Sequence, residues 1–398
     1  MHQADEHGPA MARAAAASAP APAAGSGGRA EAAATPAAAG SERSDGGEPA
    51  TGLRAGSPGA RPPKIGRDGG AGRLRSGGAG TAAAAAGAEA PTARSWRLLA
   101  RAWFQASRPH LKPVTIIPVL VGILVAGGEG HFDPWLALLT MLGSLAIHAG
   151  TDMANDYFDY IMYEGDAPFT GGSGVIQAGW LSPDSLRRGA WATFGFGALV
   201  GGYLAARTGW PALAFGLLGI ASGLFYTAPP IRYGYRGFGE VMVGLNMGAV
   251  LVLGSYYVQA RTLSLEALVA SLPLVSLVAL ILYAESIHDI EEDRATGKMT
   301  VAARLGETRA LRLYFGWVAA TAVLVVAGVA AGRLPALVLA TLVPAARCLR
   351  QAPLFLARPY RHQDLYRLGR LALGLYKAAG VSLVAGYGWW WLRSALWS

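Results

Sequence analysis

The chain contains a single cysteine, Cys348. One thiol cannot form a disulfide within the chain, which excludes a scaffold held together by disulfide bonds. It also excludes a metal site built from several thiolate ligands, because such sites combine two or more cysteines. Any metal ion that the protein binds must therefore be held by oxygen or imidazole ligands.

Charged residues are also scarce, at 15% of the chain, whereas 53% of the residues are hydrophobic. Together with a mean hydropathy of +0.32, this composition excludes an ordinary soluble protein and indicates a membrane protein. The few charges are mostly basic and give a formal net charge of +9. They stand at the ends of apolar runs, so lipid headgroups or a phosphorylated substrate fit better as partners than nucleic acid.

Large apolar side chains are almost missing from residues 1–95, which consist mainly of Ala, Gly, Pro, Ser and Arg. Such a segment cannot bury enough surface to offset its chain entropy, and it lacks the apolar stretch of a signal peptide. We predict a disordered tail, residues 1–95, that takes no part in the chemistry. A membrane domain, residues 96–398, follows it.

After Trp96, apolar runs near the roughly 20 residues that cross a bilayer follow one another to the end of the chain. The sequence therefore predicts an all-α polytopic membrane protein with about nine transmembrane helices, near residues 110–128, 135–157, 187–206, 210–227, 238–258, 266–288, 310–331, 333–354 and 371–392. A count of eight stays open if the weak eighth segment is re-entrant.

Basic residues after position 95 are distributed unequally between the two faces that nine crossings create. The face with the N-terminus and the loops after the even-numbered segments carries twenty Lys and Arg residues, and the other face carries four, Arg207, Arg261, Arg333 and Arg393. Cytoplasmic loops are rich in Lys and Arg. We therefore expect the first face to be cytoplasmic and the protein to lie in the inner (plasma) membrane.

Acidic residues gather at the ends of the second and sixth predicted segments, on the cytoplasmic face. At about 100° per residue, two helix faces become acidic: Asp152, Asn155, Asp156 and Asp159 on the first, and Glu285, Asp289, Glu292 and Asp293 on the second, with Glu291 pointing elsewhere. Carboxylates at membrane depth cost about 2.5 to 3.5 kcal/mol each. Solvated charges at the interface explain one such cluster, but two matched clusters on one face favour a bound cation.

Mg²⁺ is the natural candidate, because it takes one or two carboxylates per ion and completes its shell with water and phosphate oxygens. Lys298 and Arg304 follow the second cluster and are suited to phosphate oxygens, although basic residues also anchor helix ends at this face. The glycine-rich segment 169–177 adds backbone NH groups. Segment 226–236 adds two arginines and three tyrosines.

Two motifs carry a family resemblance. Asn155-Asp156-x-x-Asp159, with the later Asp166, resembles the first aspartate motif of the UbiA superfamily of intramembrane prenyltransferases. Asp289-x-x-x-Asp293, followed by Gly297-Lys298 and Arg304-Leu-Gly306, resembles the second. Residues 108–122 and 226–259 are most similar to the 1,4-dihydroxy-2-naphthoate prenyltransferases of menaquinone synthesis. The resemblance covers about residues 97–393.

This resemblance implies an enzyme that uses Mg²⁺ to transfer a polyprenyl group from polyprenyl diphosphate to an aromatic acceptor, 1,4-dihydroxy-2-naphthoate. The metal ligands that it implies are Asn155, Asp156, Asp159, Asp166, Asp289 and Asp293. The catalytic residues that the resemblance implies are Asp159, Asp289 and Lys298. Its substrate-binding residues are Arg108, Lys112, Arg232, Lys298, Arg304 and Tyr226.

One position departs from the pattern of many of these enzymes, because Glu285-Ser-Ile-His288 stands where they have Asn-Asn-x-Arg. Other acceptors therefore stay open, namely 6-naphthoate, a hydroxybenzoate, homogentisate or a lipid alcohol. A magnesium or organic-ion transporter also places acids among membrane helices. That class requires polar residues across the bilayer midplane, whereas the acids here collect at one face.

Overall fold

The computed structural model describes residues 93–162, 172–357 and 360–397. Every regular element within these ranges is a helix, so the predicted all-α class is confirmed. The predicted tail lies outside the described residues except for its last three positions, and Asp166 also lies outside them.

Thirteen α-helices are numbered here in chain order. They are α1 (Ala93–Ala106), α2 (Pro113–Gly128), α3 (Pro134–Met162), α4 (Pro183–Thr208), α5 (Trp210–Phe225), α6 (Gly239–Ala260), α7 (Leu265–His288), α8 (Ile290–Ala295), α9 (Val301–Leu305), α10 (Glu307–Ala330), α11 (Leu342–Leu349), α12 (Ala352–Leu356) and α13 (Tyr366–Trp397). Proline at the first position starts several of them, and Ser182 caps α4 by accepting a hydrogen bond from the Ser185 N–H at 3.2 Å.

Six helices in the described part of the chain are long and apolar enough to cross a membrane: α2 with the turn before it, α3, α6, α7, α10 and α13. The prediction of nine crossings is therefore not confirmed as a count. At 16 residues, α5 is about 24 Å long, less than the bilayer core of about 30 Å. Glycines and charged residues such as Arg187 and Arg188 lower the hydropathy of α4, and the eighth predicted segment divides into a 3₁₀ turn, Ala336–Thr341, and two short helices.

Two packed regions hold the helices together. In the larger one, α2, α6, α7, α10 and α13 surround fully buried tyrosines, among them Tyr283, Tyr314 and Tyr376. The smaller one packs α1, α3 and α4 around Met153 and Phe194. The hydroxyls of these three tyrosines each donate to a backbone carbonyl oxygen, as Tyr283 does to Ala310 at 3.1 Å, which offsets the cost of burying them.

Helices α2 and α6 approach closely at Gly122. A Cβ atom at this position would lie 2.3 Å from the carbonyl oxygen of Val252 and 2.1 Å from the hydroxyl of Ser255. Only glycine permits this approach, which is a common form of helix packing in membranes. The contact fixes α6 beside α2, where both helices face the cavity described below.

A π-helical turn, Leu245–Val250, interrupts α6. Such turns are rare and occur often at functional sites. Here the turn contributes Asn246, Met247 and Val250 to the wall of a cavity.

Candidate active site

The first acidic cluster lies at the C-terminal end of α3 and is held by neighbouring cations and hydroxyls. Asp156 is 5% exposed and accepts hydrogen bonds from the Arg108 guanidinium, from the Ser173 hydroxyl and from the Ser173 N–H at 3.1 Å. One turn earlier, Asp152 accepts from Lys112 Nζ at 2.9 Å. The segment before α2 thus neutralises two of the predicted acids.

Asn155 and Asp159 are instead engaged by the loop between α5 and α6. The Thr227 hydroxyl donates to Asn155 Oδ1 at 2.9 Å, and the Tyr235 hydroxyl donates to Asp159 Oδ1 at 2.7 Å. Both contacts use only one oxygen atom of the acceptor side chain. The remaining lone pairs of these two groups are available to a cation.

The second cluster follows the end of α7. Asp289 accepts from His288 Nδ1 at 2.7 Å and is 39% exposed, whereas Asp293 is 3% exposed and accepts from Lys298 Nζ at 3.1 Å and from Thr300 Oγ1 at 3.0 Å. Burial raises the pKa of Asp293, although Lys298 opposes the change. Lys298 and Thr300 therefore stabilise the ionised form of Asp293.

Lys298 connects the two clusters. Its ammonium lies 5.9 Å from the ring centre of Tyr235, whose hydroxyl binds Asp159, and it also interacts electrostatically with Asp159. Burial lowers the pKa of Lys298, but the carboxylates of Asp293 and Asp159 oppose this effect, so the ammonium group stays charged. The acids from α3 and α8 therefore face one another across a lysine.

Glu285 gives a second connection between the clusters. It lies on α7 and interacts electrostatically with Arg108, Asp289 and Lys298. Of these, Arg108 pairs with Asp156 of the first cluster. Asp289 belongs to the second cluster, and Lys298 pairs with Asp293 of the second cluster. The two clusters are far apart in the sequence, and the structure places both at one end of the helix bundle.

Oxygen atoms make up the donor set, which is the chemistry that Mg²⁺ prefers. In the described residues, no three acidic or imidazole groups converge closely enough to enclose a metal ion by themselves. The Nε atoms of Arg108 and Arg232 are buried without a hydrogen-bond partner, which suits a bound anion. The site thus fits a magnesium–diphosphate pair better than a metal ion alone.

A cavity of about 260 Å³ opens beside the acids. Its polar end is lined by Arg108, Asn155, Glu285 and Tyr226, and its walls are mainly apolar residues of α3 to α7. Along α3 it extends from Thr140 to Asn155, which is about 22 Å at 1.5 Å per residue. The cavity can therefore hold an elongated apolar molecule with a charged head.

The other predicted substrate-binding residues have varied surroundings. Tyr226 lines the cavity and packs edge-on against Tyr233 with ring centres 5.4 Å apart, and burial raises the pKa of its phenol, which stays neutral. Arg232 has a left-handed backbone. Arg304 donates hydrogen bonds to the carbonyl oxygens of Met299 and Arg236 at 3.1 and 2.8 Å, and these bonds link two loops.

Sequence reasoning missed the residues that orient the acids, namely Ser173, Thr227 and Tyr235. Tyr235 lies 76 residues from Asp159, so no local spacing links the two. A weak signal exists in the three tyrosines of segment 226–236, which sequence alone could not separate from an interfacial belt.

Residues 115–374 match the UbiA prenyltransferase family. The chain belongs to this family. It is thus a membrane prenyltransferase, and its resemblance to the family, inferred from two aspartate motifs, is confirmed. The acids, the lysine between them and the cavity form the candidate active site of a UbiA enzyme.

Relatives of this UbiA chain include the 1,4-dihydroxy-2-naphthoate octaprenyltransferase of Bacillus subtilis, which is 32% identical over 56% of this chain and 72% of the relative. The 2-carboxy-1,4-naphthoquinone phytyltransferase of Synechocystis is 27% identical over 72% of this chain and 93% of the relative. A solved structure of digeranylgeranylglyceryl phosphate synthase has a TM-score of 0.52 at 12% identity, covering 73% of this chain and 99% of that one. This last likeness supports the fold.

Proposed function

We propose that the protein transfers a polyprenyl group from polyprenyl diphosphate to 1,4-dihydroxy-2-naphthoate in menaquinone synthesis. The observation that carries the proposal is the elongated apolar cavity that ends at two facing acidic clusters. A prenyl diphosphate has the same division into an apolar chain and an anionic head. The names of the naphthoate-prenylating relatives support the choice of acceptor.

Mg²⁺ would be held by Asn155, Asp159, Asp289 and Asp293, with Asp156 and Asp166 close by in sequence. When bound, the metal neutralises charge on the diphosphate and makes it a better leaving group. Lys298 provides a fixed positive charge for the diphosphate oxygens as the bond between C1 of the prenyl chain and the diphosphate oxygen breaks.

Arg232 is placed to add to this charge, since it has a buried Nε atom without a hydrogen-bond partner. The apolar walls exclude water, which would otherwise capture the allylic cation. Arg108 and Lys112 lie on the side where the acceptor carboxylate would bind. Both are already paired with acids, so we assign them to orienting the acceptor rather than to binding it tightly.

Acceptor choice is tested with the purified protein, a polyprenyl diphosphate and Mg²⁺. We expect prenylation of 1,4-dihydroxy-2-naphthoate, with CO₂ and diphosphate released in equal amounts. Turnover of a carboxylate-free phenol or a lipid alcohol, with none of the naphthoate, would assign the protein to another acceptor. Absence of diphosphate release with every acceptor would contradict prenyl transfer itself.

We also propose that the protein lies in the plasma membrane with its active site on the cytoplasmic side. The unequal distribution of basic residues supports this orientation. Asp184 lies at the start of α4 on the face of the acidic clusters, and its side chain is 74% exposed. With buried Cys348 replaced by Ser, an Asp184→Cys variant should react with an impermeant thiol reagent only after the membrane is opened.

The matched control for this topology is Leu263→Cys, in the loop between α6 and α7 at the opposite face, where the side chain is 60% exposed. This variant should react in intact cells. The reverse labelling pattern for the two cysteines would show that the acids face the exterior.

A further inference from the structure

Thr115, His148 and Asp152 form a chain of polar contacts on the cavity wall, and none of them is needed to bind the diphosphate. Thr115 Oγ1 lies 2.6 Å from Nδ1 of His148, and Nε2 of His148 lies 3.7 Å from Oδ2 of Asp152. All three side chains are more than nine-tenths buried, yet they line the cavity. A polar network in this position contacts whatever fills the cavity.

His148 lies at the depth where the reacting carbon is expected. It precedes Asn155 by seven residues on α3, which is about 10 Å toward the middle of the bilayer, and Asp152 lies about one turn from each of them. A diphosphate held between the acids places C1 on this side, because the prenyl chain continues into the apolar part of the cavity. An aromatic acceptor next to C1 would then lie beside the imidazole.

We propose that His148 is a catalytic residue whose Nε2 atom removes the proton from the acceptor hydroxyl next to the attacking ring carbon. The proposal rests on the proposed function, since it assigns a residue to that reaction. Two carboxylates also line the cavity, but Asp152 is held by Lys112 at 2.9 Å. The other, Glu285, interacts electrostatically with the cations Arg108 and Lys298 as well as with Asp289, so its charge is already compensated.

Nε2 takes the hydroxyl proton, and the electron pair of the O–H bond enters the ring. The carboxylate-bearing carbon of the naphthoate ring bonds to C1 of the prenyl chain, while the diphosphate leaves with the electron pair of the bond between that C1 and oxygen. The bond to the carboxylate then breaks, CO₂ departs, its electron pair restores the aromatic ring, and Nε2 returns the proton to the oxygen.

The contacts of His148 suit this role. When the Thr115 hydroxyl accepts a hydrogen bond from Nδ1–H, the lone pair of Nε2 is free to take a proton. The charged groups that face the imidazole are Asp152 on its own helix and Lys112 and Arg108 from the segment before α2. Of these, Asp152 lies 3.7 Å from Nε2 and stabilises the imidazolium that forms.

The test is a His148→Gln variant, which keeps the size of the side chain and a hydrogen bond to Thr115 but cannot accept a proton. General-base catalysis contributes about 10² to 10⁴ in rate, so kcat with 1,4-dihydroxy-2-naphthoate should fall at least about a hundredfold. The Kd for the prenyl diphosphate and the thermal midpoint of unfolding should stay near the wild-type values.

The pH profile separates a proton acceptor from a structural residue. In the wild type, kcat/KM should fall with a slope of one at low pH, because a protonated imidazole cannot accept a proton, and should level off at neutral pH. In the His148→Gln variant it should keep rising with pH until the acceptor hydroxyl ionises by itself, near pH 10 for a phenol.

A second variant, with its own control, keeps the proposal testable if His148→Gln folds poorly. Thr115→Val removes the partner of Nδ1 without changing the size of the side chain, and it should reduce kcat about tenfold and displace the acidic limb of the profile. His131→Gln, in the exposed loop between α2 and α3, is the matched control and should match the wild type.

The outcomes for this inference and for the proposed function are distinct. If the wild type prenylates the naphthoate and His148→Gln retains both its rate and its plateau at neutral pH, His148 is not the base and the function stands. If His148→Gln loses activity equally at every pH, the residue has only a packing role. If the wild type prenylates no aromatic acceptor, the function fails and this inference fails with it.

Discussion

Replacing Asp159 or Asp289 by Asn is expected to reduce turnover by at least about a hundredfold. Each change keeps the size of the side chain and its contact with Tyr235 or His288 but removes a negative charge. The proposed assembly of Mg²⁺ and diphosphate requires that charge. Loss of one principal electrostatic stabiliser corresponds to about 2.7 kcal/mol or more. The measurement is turnover at saturating prenyl diphosphate across a Mg²⁺ titration.

Glu291→Gln is the matched control for both aspartate variants. It removes the same charge two residues from Asp289, but its side chain is exposed on α8 and has no part in the cluster contacts described above. Its activity should stay within a few-fold of the wild type. Near-normal turnover in Asp159→Asn and Asp289→Asn, or an equal loss in Glu291→Gln, would show that the acids serve solvation or folding.

Lys298→Gln should also reduce turnover by at least about a hundredfold, because the fixed charge between the two clusters is lost. The variant leaves Asp293 buried without its cation, and breaking a buried ion pair costs about 3 to 5 kcal/mol. A fall in the thermal midpoint is therefore expected as well. Activity and unfolding must be measured on the same preparation.

A double variant separates the two effects of losing Lys298. Lys298→Gln with Asp293→Asn removes both members of the pair and should recover much of the lost stability, but not the activity. Arg312→Gln, which removes an exposed positive charge at the start of α10, should change neither. Recovery of turnover in the double variant would mean that Lys298 acts only by neutralising Asp293.

Local periodicity was enough to predict the acids that share a helix face, because Asp152, Asn155, Asp156 and Asp159 recur with the spacing of an α-helix. It was also enough to predict a helical membrane protein. It could not give the partners of these acids, since Thr227 lies 72 residues from Asn155. Such contacts depend on how helices pack, which one sequence does not encode in any short window.

Arg304 has a structural role that motif reading does not reveal. Its position after the second cluster suggested a phosphate contact, yet in the structure its guanidinium donates to two backbone carbonyl oxygens. An arginine near a site can equally hold the loops that form the site. The spacing of nearby residues does not distinguish these two roles, because both place the side chain at the same face.

The π turn of α6 explains how one helix can follow a straight cavity. One row of its cavity-lining residues, Asn246, Val250, Gly254 and Val258, recurs every four positions, and so does a second row, Val243, Met247, Leu251 and Ser255. In an ideal α-helix each such step advances by about 40° beyond a full turn, so the stripe would wind away from the cavity within a few turns. A π turn has more residues per turn and reverses part of this drift. Deleting Ala249, which lies in the π turn but does not line the cavity, would therefore rotate the α6 lining residues after the turn relative to those before it, without changing any of their side chains.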